Sequence, residues 1–376
     1  MVKIISLLKM NRFRPLLLLA ACGVALGCAP ARVAAPPTDT LPAKALQPVG
    51  RFQITSAGQL ELISSAVHFG FTFEGKECQV FASLPGGQGH SYLQYELDGA
   101  YQKRLRVEGN SAAPLTITAP TAGRHTVWIY KATEASTGPL NIEKITGAKL
   151  KALPAPTGPL IEFIGNSITC GAASDPSLVP CGTGEYHDQT NAYQAYGPRV
   201  ARALNVNYIL SSVSGIGAYR TWSQSGPTMP QVYEKFDFRA DNPKLWDFTK
   251  YKPAIVSIAL GTNDLSNGDG KTPRLAFDSA SFVNNYAMFV RLVKSKYPQA
   301  RIALLNSPMV TGNNRVKLQN CLTAIKTATD ASYPTAPPVA LFFFEPMQTH
   351  GCGGHPDVLD HAVMAKELEP FFKKLL

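Results

Sequence analysis

Four short runs of polar residues carry the side chains that could do chemistry. The first is Phe163-Ile164-Gly165-Asn166-Ser167-Ile168-Thr169, in which a serine follows an apolar stretch and a glycine. The second and third are Ser212-Val213-Ser214-Gly215-Ile216-Gly217 and Leu260-Gly261-Thr262-Asn263-Asp264. The fourth, near the C-terminus, is Gly353-Gly354-His355-Pro356-Asp357. A hydroxyl nucleophile, an imidazole base and amide donors aimed at a developing oxyanion are the equipment of acyl transfer to water. On that reading Ser167 is the nucleophile and His355 the general base. The backbone N–H groups of Ser167 and Gly215, with the side-chain amide of Asn263, form the oxyanion pocket. Glycine at 215 lets the backbone approach a substrate carbonyl with no Cβ in the way.

Each run alone has an ordinary reading. A serine after a strand is usually a helix cap, a histidine before a helix is usually a surface residue, and Gly-Thr-Asn-Asp is a plausible turn. Their placement on successive elements raises their weight. From 160 onward, continuously apolar strands at 160–164, 207–213, 254–260, 301–306 and 339–344 alternate with helical patterns at 191–204, 277–297, 315–331 and 361–376. That alternation predicts a parallel sheet covered on both faces, with chemistry beyond the C-terminal strand ends. All four runs fall there.

The preceding region, about 50–145, follows a different pattern. Val67, Phe69, Phe71 and Phe73 alternate with smaller or polar neighbours, as do Leu93, Tyr95 and Leu97. Period-two alternation broken by turns such as Asp98-Gly99 predicts short strands with one buried face, and a two-sheet sandwich. The expected division is a β-sandwich domain at 49–152, a proline-bearing link, and an α/β domain at 158–376.

The start of the chain reads as a targeting signal. Lys3, Lys9, Arg12 and Arg14 precede an apolar run from Leu16 to Leu26, too short for the ~20 residues that span a bilayer. Ala25-Leu26-Gly27-Cys28 closes it and resembles a bacterial lipoprotein processing site. Residues 1–28 are therefore expected to be removed or lipidated, with Cys28 the lipidated residue and Cys22 its rival. Residues 29–48, rich in Ala and Pro, are expected to be an extended tether. The implied location is a membrane-anchored exported lipoprotein, periplasmic or on the cell surface.

Beyond Cys28 five cysteines remain, an odd number, at 78, 170, 181, 321 and 352. Cys170 with Cys181 is one candidate pair and Cys321 with Cys352 another; sequence does not choose. No Cys/His spacing fits a zinc site, and no metal or cofactor is expected. The formal charge is +10, of which four charges precede Cys28. The remaining surplus is scattered, with no basic run interleaved with aromatics, which argues against nucleic acid as a partner. Trp222 and Trp246, with Tyr219, lie in connections on the active edge and are candidates for stacking on a ring of the substrate. Asp264 is a candidate for bracing the loop that presents Asn263.

The four runs resemble the signature blocks of SGNH/GDSL hydrolases, with Asn166 standing where Asp is usual. The resemblance is closest to family 2 carbohydrate esterases, the acetylxylan esterase group. Ile168-Thr169-Cys170-Gly171, Ser214-Gly215-Ile216-Gly217, Trp246-Asp247-Phe248 and Tyr297-Pro298 carry it, with Gly50-Arg51 and Lys131-Ala132-Thr133-Glu134 in the β-region. It covers about residues 50–376. It implies an all-β jelly-roll sandwich domain ahead of an α/β SGNH-hydrolase domain with a flavodoxin-like parallel sheet, and removal of acetyl groups from polysaccharides or oligosaccharides such as acetylxylan. Two other readings stand beside it. One is an esterase or lipase acting on other acyl esters. The other is a lipid-anchored carbohydrate-binding protein whose hydrolase fold is inactive.

The resemblance also exposes a departure. SGNH hydrolases usually place an Asp three residues before the histidine, and here that position is Cys352. The sequence therefore points to a Ser167–His355 dyad, with a main-chain carbonyl near Gly353-Gly354 accepting from the imidazole. Asp357 and Glu345 are the rival carboxylates.

Overall fold

The computed structural model describes residues 38–376. The targeting signal and Cys28 lie outside them. The first region is antiparallel throughout. Its strands are β1 (Asp39–Pro42), β2 (Phe52–Ile54), β3 (Leu60–Leu62), β4 (His68–Ser83), β5 (His90–Leu97), β6 (Ala100–Glu108), β7 (Ala113–Lys131) and β8 (Leu140–Ala152). The order is β2-β3-β8-β4-β7-β5-β6, with β1 beside β8. All are joined in one hydrogen-bonded sheet, in which β4 and β7 are long enough to turn around the core. The register of β4 on β7 shifts between Gly75 and Glu77. That irregularity reverses the parity of burial along β4. Phe69, Phe71 and Phe73 are buried before it, and Cys78, Val80 and Ala82 after it. An irregularity that lets a strand bend also moves its side chains to the opposite face.

The region begins earlier than expected. Asp39–Pro42 pairs with Gly147–Lys144 of β8, and Ala43 and Leu46 are buried. Residues from 39 onward thus belong to the β-region rather than to a tether.

The second region contains the parallel sheet. Its elements are β9 (Leu160–Gly165), α1 (Ser167–Cys170), α2 (Tyr196–Ala203), β10 (Asn207–Ser212), α3 (Met229–Val232), β11 (Ile255–Ala259), α4 (Thr262–Leu265), α5 (Ser279–Lys296), β12 (Arg301–Leu305), α6 (Gly312–Ser332), β13 (Ala340–Phe342) and α7 (Val358–Leu375). The order is β10-β9-β11-β12-β13, all parallel. The chain leaves β9 for one side and later returns to the other, so the crevice opens at the ends of β9, β10 and β11. Apolar cores cover both faces. One packs Phe282, Tyr286, Phe289 and Val293 of α5 with Leu318 and Leu322 of α6. The other packs Tyr196 and Val200 of α2 with Met364, Leu368 and Phe372 of α7. The helix expected over 191–204 starts only at Tyr196, because Asn191 first caps a short 3-10 turn at Ala192–Gln194.

The two regions interlock through buried polar groups. Arg51, 1% exposed, reaches out of the β-region and donates to the carbonyls of Tyr233, at 2.9 Å, and Lys235, at 2.5 Å. Its guanidinium lies over the Phe238 ring at 3.9 Å. Burial lowers its pKa to about 10, opposed chiefly by Glu162, which lies buried in β9. Arg104 of β6 donates to the carbonyls of Asp175 (3.0 Å), Thr190 (3.2 Å) and Asp188. It thereby fixes both ends of the loop that follows α1.

Candidate active site

Ser167 is the first residue of α1, immediately past the end of β9. The Asn166 side chain caps this short helix by accepting from the Ile168 N–H at 3.2 Å. The close turn requires Gly165: a Cβ there would meet Thr169 Oγ1 at 2.0 Å. His355 follows the loop after β13, 188 residues away, and its Nε2 lies 2.9 Å from Ser167 Oγ. Its other ring nitrogen, Nδ1, lies 3.2 Å from the carbonyl oxygen of Cys352. A carbonyl can only accept, so Nδ1 carries the proton and Nε2 is free to take one from Ser167.

Among the described residues no carboxylate accepts from the imidazole, and Glu134 acts on it through charge alone. Asp357 caps α7 instead, accepting from the N–H groups of Leu359 and Asp360, each at 2.8 Å. Glu345 is 80% exposed along its side chain and pairs with Arg315 at 2.9 Å. The accepting carbonyl is that of Cys352, one residue earlier than the Gly353-Gly354 stretch to which the sequence pointed.

The cysteine pairing differs from both candidates. Cys181 bonds to Cys352, while Cys78, Cys170 and Cys321 are free and buried. Cys170 cannot reach Cys181, because it lies inside at the end of α1 with its thiol donating to Ser212 Oγ at 3.2 Å. The disulfide and a hydrogen bond from Cys352 N–H to the Ala173 carbonyl, at 2.8 Å, tie the histidine loop to the loop after the nucleophile. That loop is also held by Asp188, which accepts from His90 and, at 2.7 Å, from the Tyr92 hydroxyl.

The three expected oxyanion donors stand at the ends of three adjacent strands. Ser167 follows β9, Gly215 follows β10, and Asn263 lies in α4 after β11. Gly215 has φ +75°, the left-handed region that favours glycine. Asn263 spends one amide hydrogen on the Ile216 carbonyl at 2.8 Å, which leaves the other for a ligand. Asp264, fully buried, accepts from the N–H groups of Ala218 (3.0 Å), Tyr219 (2.9 Å) and Arg220 (3.1 Å). It braces the segment after Gly215 as well as its own loop, and burial pushes its carboxyl up.

The two tryptophans part company. Trp222 is 47% exposed, and its backbone N–H donates to the Gly215 carbonyl at 2.8 Å, which puts it beside Gly215. Trp246 is 4% exposed and packs in the core against Phe236, Tyr251 and the Arg51 guanidinium. It has no face to offer a sugar. Tyr219 likewise packs on Phe277 and Phe282. Three groups at the site were not singled out from sequence. Tyr186 places its hydroxyl 3.3 Å from Ser214 Oγ. Arg274 donates to the Trp222 carbonyl at 2.9 Å. Glu134 accepts from Ser214; its only signal was its place in the Lys131-Ala132-Thr133-Glu134 run.

A serine in contact with a histidine at the carboxyl edge of a 2-1-3-4-5 parallel sheet, beside a glycine and an asparagine on adjacent strand ends, defines an SGNH-type hydrolase. The comparisons agree and go further. Residues 48–156 match the family described as Carbohydrate esterase 2 N-terminal, and residues 163–337 match the GDSL-like Lipase/Acylhydrolase family. The chain is thus similar to the SGNH/GDSL hydrolases over its second region, and to the family 2 carbohydrate esterases over most of its length. It is 28% identical to Cellulase/esterase CelE of Acetivibrio thermocellus over 87% of its own length, and spans 39% of that protein. It is 25% identical to an Acetylxylan esterase / glucomannan deacetylase of Cellvibrio japonicus, covering 88% of this chain and 89% of that one. A family two carbohydrate esterase from Clostridium thermocellum, solved in complex with cellohexaose, superposes with a TM-score of 0.76 at 26% identity, covering 89% of this chain and 98% of that one.

Burial lowers the His355 pKa, opposed only in part by hydrogen bonding to the loop backbone and by the charge of Glu134. Burial disfavours the imidazolium, so the base stays neutral to lower pH than a free histidine and is lost only as pH falls through the depressed value. The acid limb of kcat/KM is expected to have its midpoint below the ordinary histidine value of about 6.5. A pH–rate series that places the midpoint above about 7 would contradict the geometry.

Proposed function

We propose that this chain is a carbohydrate O-acetyl esterase that removes acetyl groups from polysaccharides or oligosaccharides such as acetylxylan through an acyl-enzyme. The observation that carries the proposal is the 2.9 Å contact between Ser167 Oγ and His355 Nε2. His355 takes the Ser167 proton as Oγ attacks the acetyl carbonyl. The oxyanion settles among the N–H groups of Ser167 and Gly215 and the free hydrogen of Asn263. The sugar hydroxyl leaves with the proton returned by His355. Water, activated by the same imidazole, then releases acetate and restores the serine. The Cys352 carbonyl holds the tautomer and offers a dipole to the imidazolium in place of a carboxylate. Trp222, exposed beside Gly215, is the aromatic surface on which a sugar ring stacks.

The relatives support the substrate class. One is named for acetylxylan and glucomannan, and a neighbouring structure holds a cello-oligosaccharide. In this reading the folded antiparallel sheet is a jelly roll, a description favoured by the length of β4 and β7 and by the bend at Gly75. Its role is to carry loops of the active site.

Acyl length tests the function. Aryl acetate is expected to turn over well and aryl butyrate and longer esters poorly, with acetate released from acetylated xylan. Ser167→Ala is expected to remove nearly all of this activity in a folded protein, since alanine has no hydroxyl to acylate. A preference for long acyl chains would replace sugar esters by lipids as substrates. Glycan binding without ester hydrolysis would favour the carbohydrate-binding reading.

We also propose that the protein is exported and held at a membrane through a lipid on Cys28, in the periplasm or at the cell surface. The motive is the short apolar run ending in Ala25-Leu26-Gly27-Cys28. Mass spectrometry of the mature N-terminus is expected to find a diacylglyceryl group on Cys28. An unmodified terminus beyond residue 28 would mean a freely secreted enzyme, and lipid on Cys22 would move the anchor.

A further inference from the structure

The turn that contains Gly215 is gripped by a residue of the β-region. Ser214, the neighbour of Gly215, donates twice to the Glu134 carboxylate: its N–H lies 2.6 Å from Oε2 and its hydroxyl 2.5 Å from Oε1. Glu134 follows β7 and is 2% exposed. Its own backbone is tied down in turn. The buried Lys131 ammonium donates to the carbonyls of Thr133, at 3.0 Å, and of Glu134, at 2.8 Å. The turn that Ser214 opens is also held downstream. The Gly215 carbonyl accepts from Trp222 N–H, and the Ile216 carbonyl accepts from the Asn263 amide, each at 2.8 Å. Those two clamps belong to the SGNH region; the upstream clamp comes from the other region.

We infer that Glu134 is a positioning residue for ester hydrolysis, holding Ser214 so that the following peptide aims the Gly215 N–H into the oxyanion pocket. The inference rests on the esterase reading of the site. Glycine at 215 has the widest backbone freedom of any residue, so its N–H direction is set by what holds the residues on either side. An acceptor that takes both donors of Ser214 removes the rotation that would swing the 214–215 peptide away. A buried carboxylate making two charge-assisted hydrogen bonds is a stiff clamp, and leaving those donors unpaired would be costly. The oxyanion pocket is then complete only when the β-region is docked, which gives that region a part in the chemistry.

The test is kinetics of the whole chain on an aryl acetate, together with the affinity of a boronic acid that forms a tetrahedral adduct with the serine. Glu134→Ala is expected to lower kcat by roughly 10- to 100-fold, a fraction of the ~10²–10³ that deleting one oxyanion donor costs. KM is expected to stay within about threefold, because the lost interaction strengthens in the transition state. Boronate affinity should fall in parallel with kcat. Glu134→Gln is expected to restore most of the rate, since its carbonyl can accept the Ser214 N–H while its amide donates to the hydroxyl. Glu134→Asp, which keeps the charge but withdraws the carboxylate, is expected to behave like the alanine variant and covers the case in which that variant fails to fold. Ser214→Ala should cost less alone and add little to Glu134→Ala, because the two residues form one contact. A folded Glu134→Ala or Glu134→Asp enzyme with kcat within about twofold of the parent, or a loss confined to KM with boronate affinity unchanged, would overturn the inference. An inactive parent would sink the esterase reading itself; an active parent indifferent to position 134 would sink only the role of Glu134.

Discussion

One residue, Cys352, carries the constraint on which the rest of the site depends. Its carbonyl receives the Nδ1–H of His355, its N–H is spent on Ala173, and its sulfur is bonded to Cys181. The imidazole must be aimed at a serine 188 residues earlier in the chain with a carbonyl, rather than a carboxylate, accepting from its Nδ1. A neutral carbonyl orients the ring by direction rather than by charge, so its own position has to be fixed from elsewhere. The disulfide supplies that restraint by joining the histidine loop to the loop that leaves the nucleophile. The residue type that removes the usual aspartate is also the one that makes the covalent tie possible.

The second constraint is the seam between the two regions. It is built from buried charge rather than from apolar surface alone: Arg51 among the carbonyls of Tyr233 and Lys235, Arg104 on the loop after α1, and Glu134 on Ser214. A hydrogen bond to a buried charged group is worth about 1.5–3 kcal/mol, and removing its partner leaves the charge desolvated and unpaired. Such a seam fixes one docking geometry sharply. Two loops that shape the active edge, 172–190 and 213–222, are both held from the β-region, by Arg104 and Glu134 respectively.

What could be read from the sequence follows from how local each feature is. Strand ends carry their chemistry in short runs, so Ser167, Gly215, Asn263 and His355 were all visible, and the apolar strands placed them on one edge. A carbonyl partner for the imidazole is legible through a missing residue, the cysteine at the position where an aspartate is usual. Features set by distant partners were not visible. Cys181 and Cys352 are 171 residues apart, and only the folded loops bring them together. Asp39–Pro42 looks like a tether until β8 is placed beside it. Trp246 and Trp222 are alike as sequence signals, both aromatic and both in connecting segments. Burial separates them, because one lies beneath Arg51 and the other beside an exposed turn. Glu134 sits in a recognisable run, but nothing local says that its carboxylate crosses to another region.

The central claim is that acyl transfer passes through Ser167. Its most direct test is to quench the enzyme during turnover of an acetyl ester and map the adduct by peptide mass spectrometry. The account predicts a single acetyl group on the peptide containing Ser167, absent when His355 is replaced by alanine. An acetyl group on any other residue, or ester hydrolysis at full rate with no acetyl-enzyme under conditions that trap one in related esterases, would contradict it.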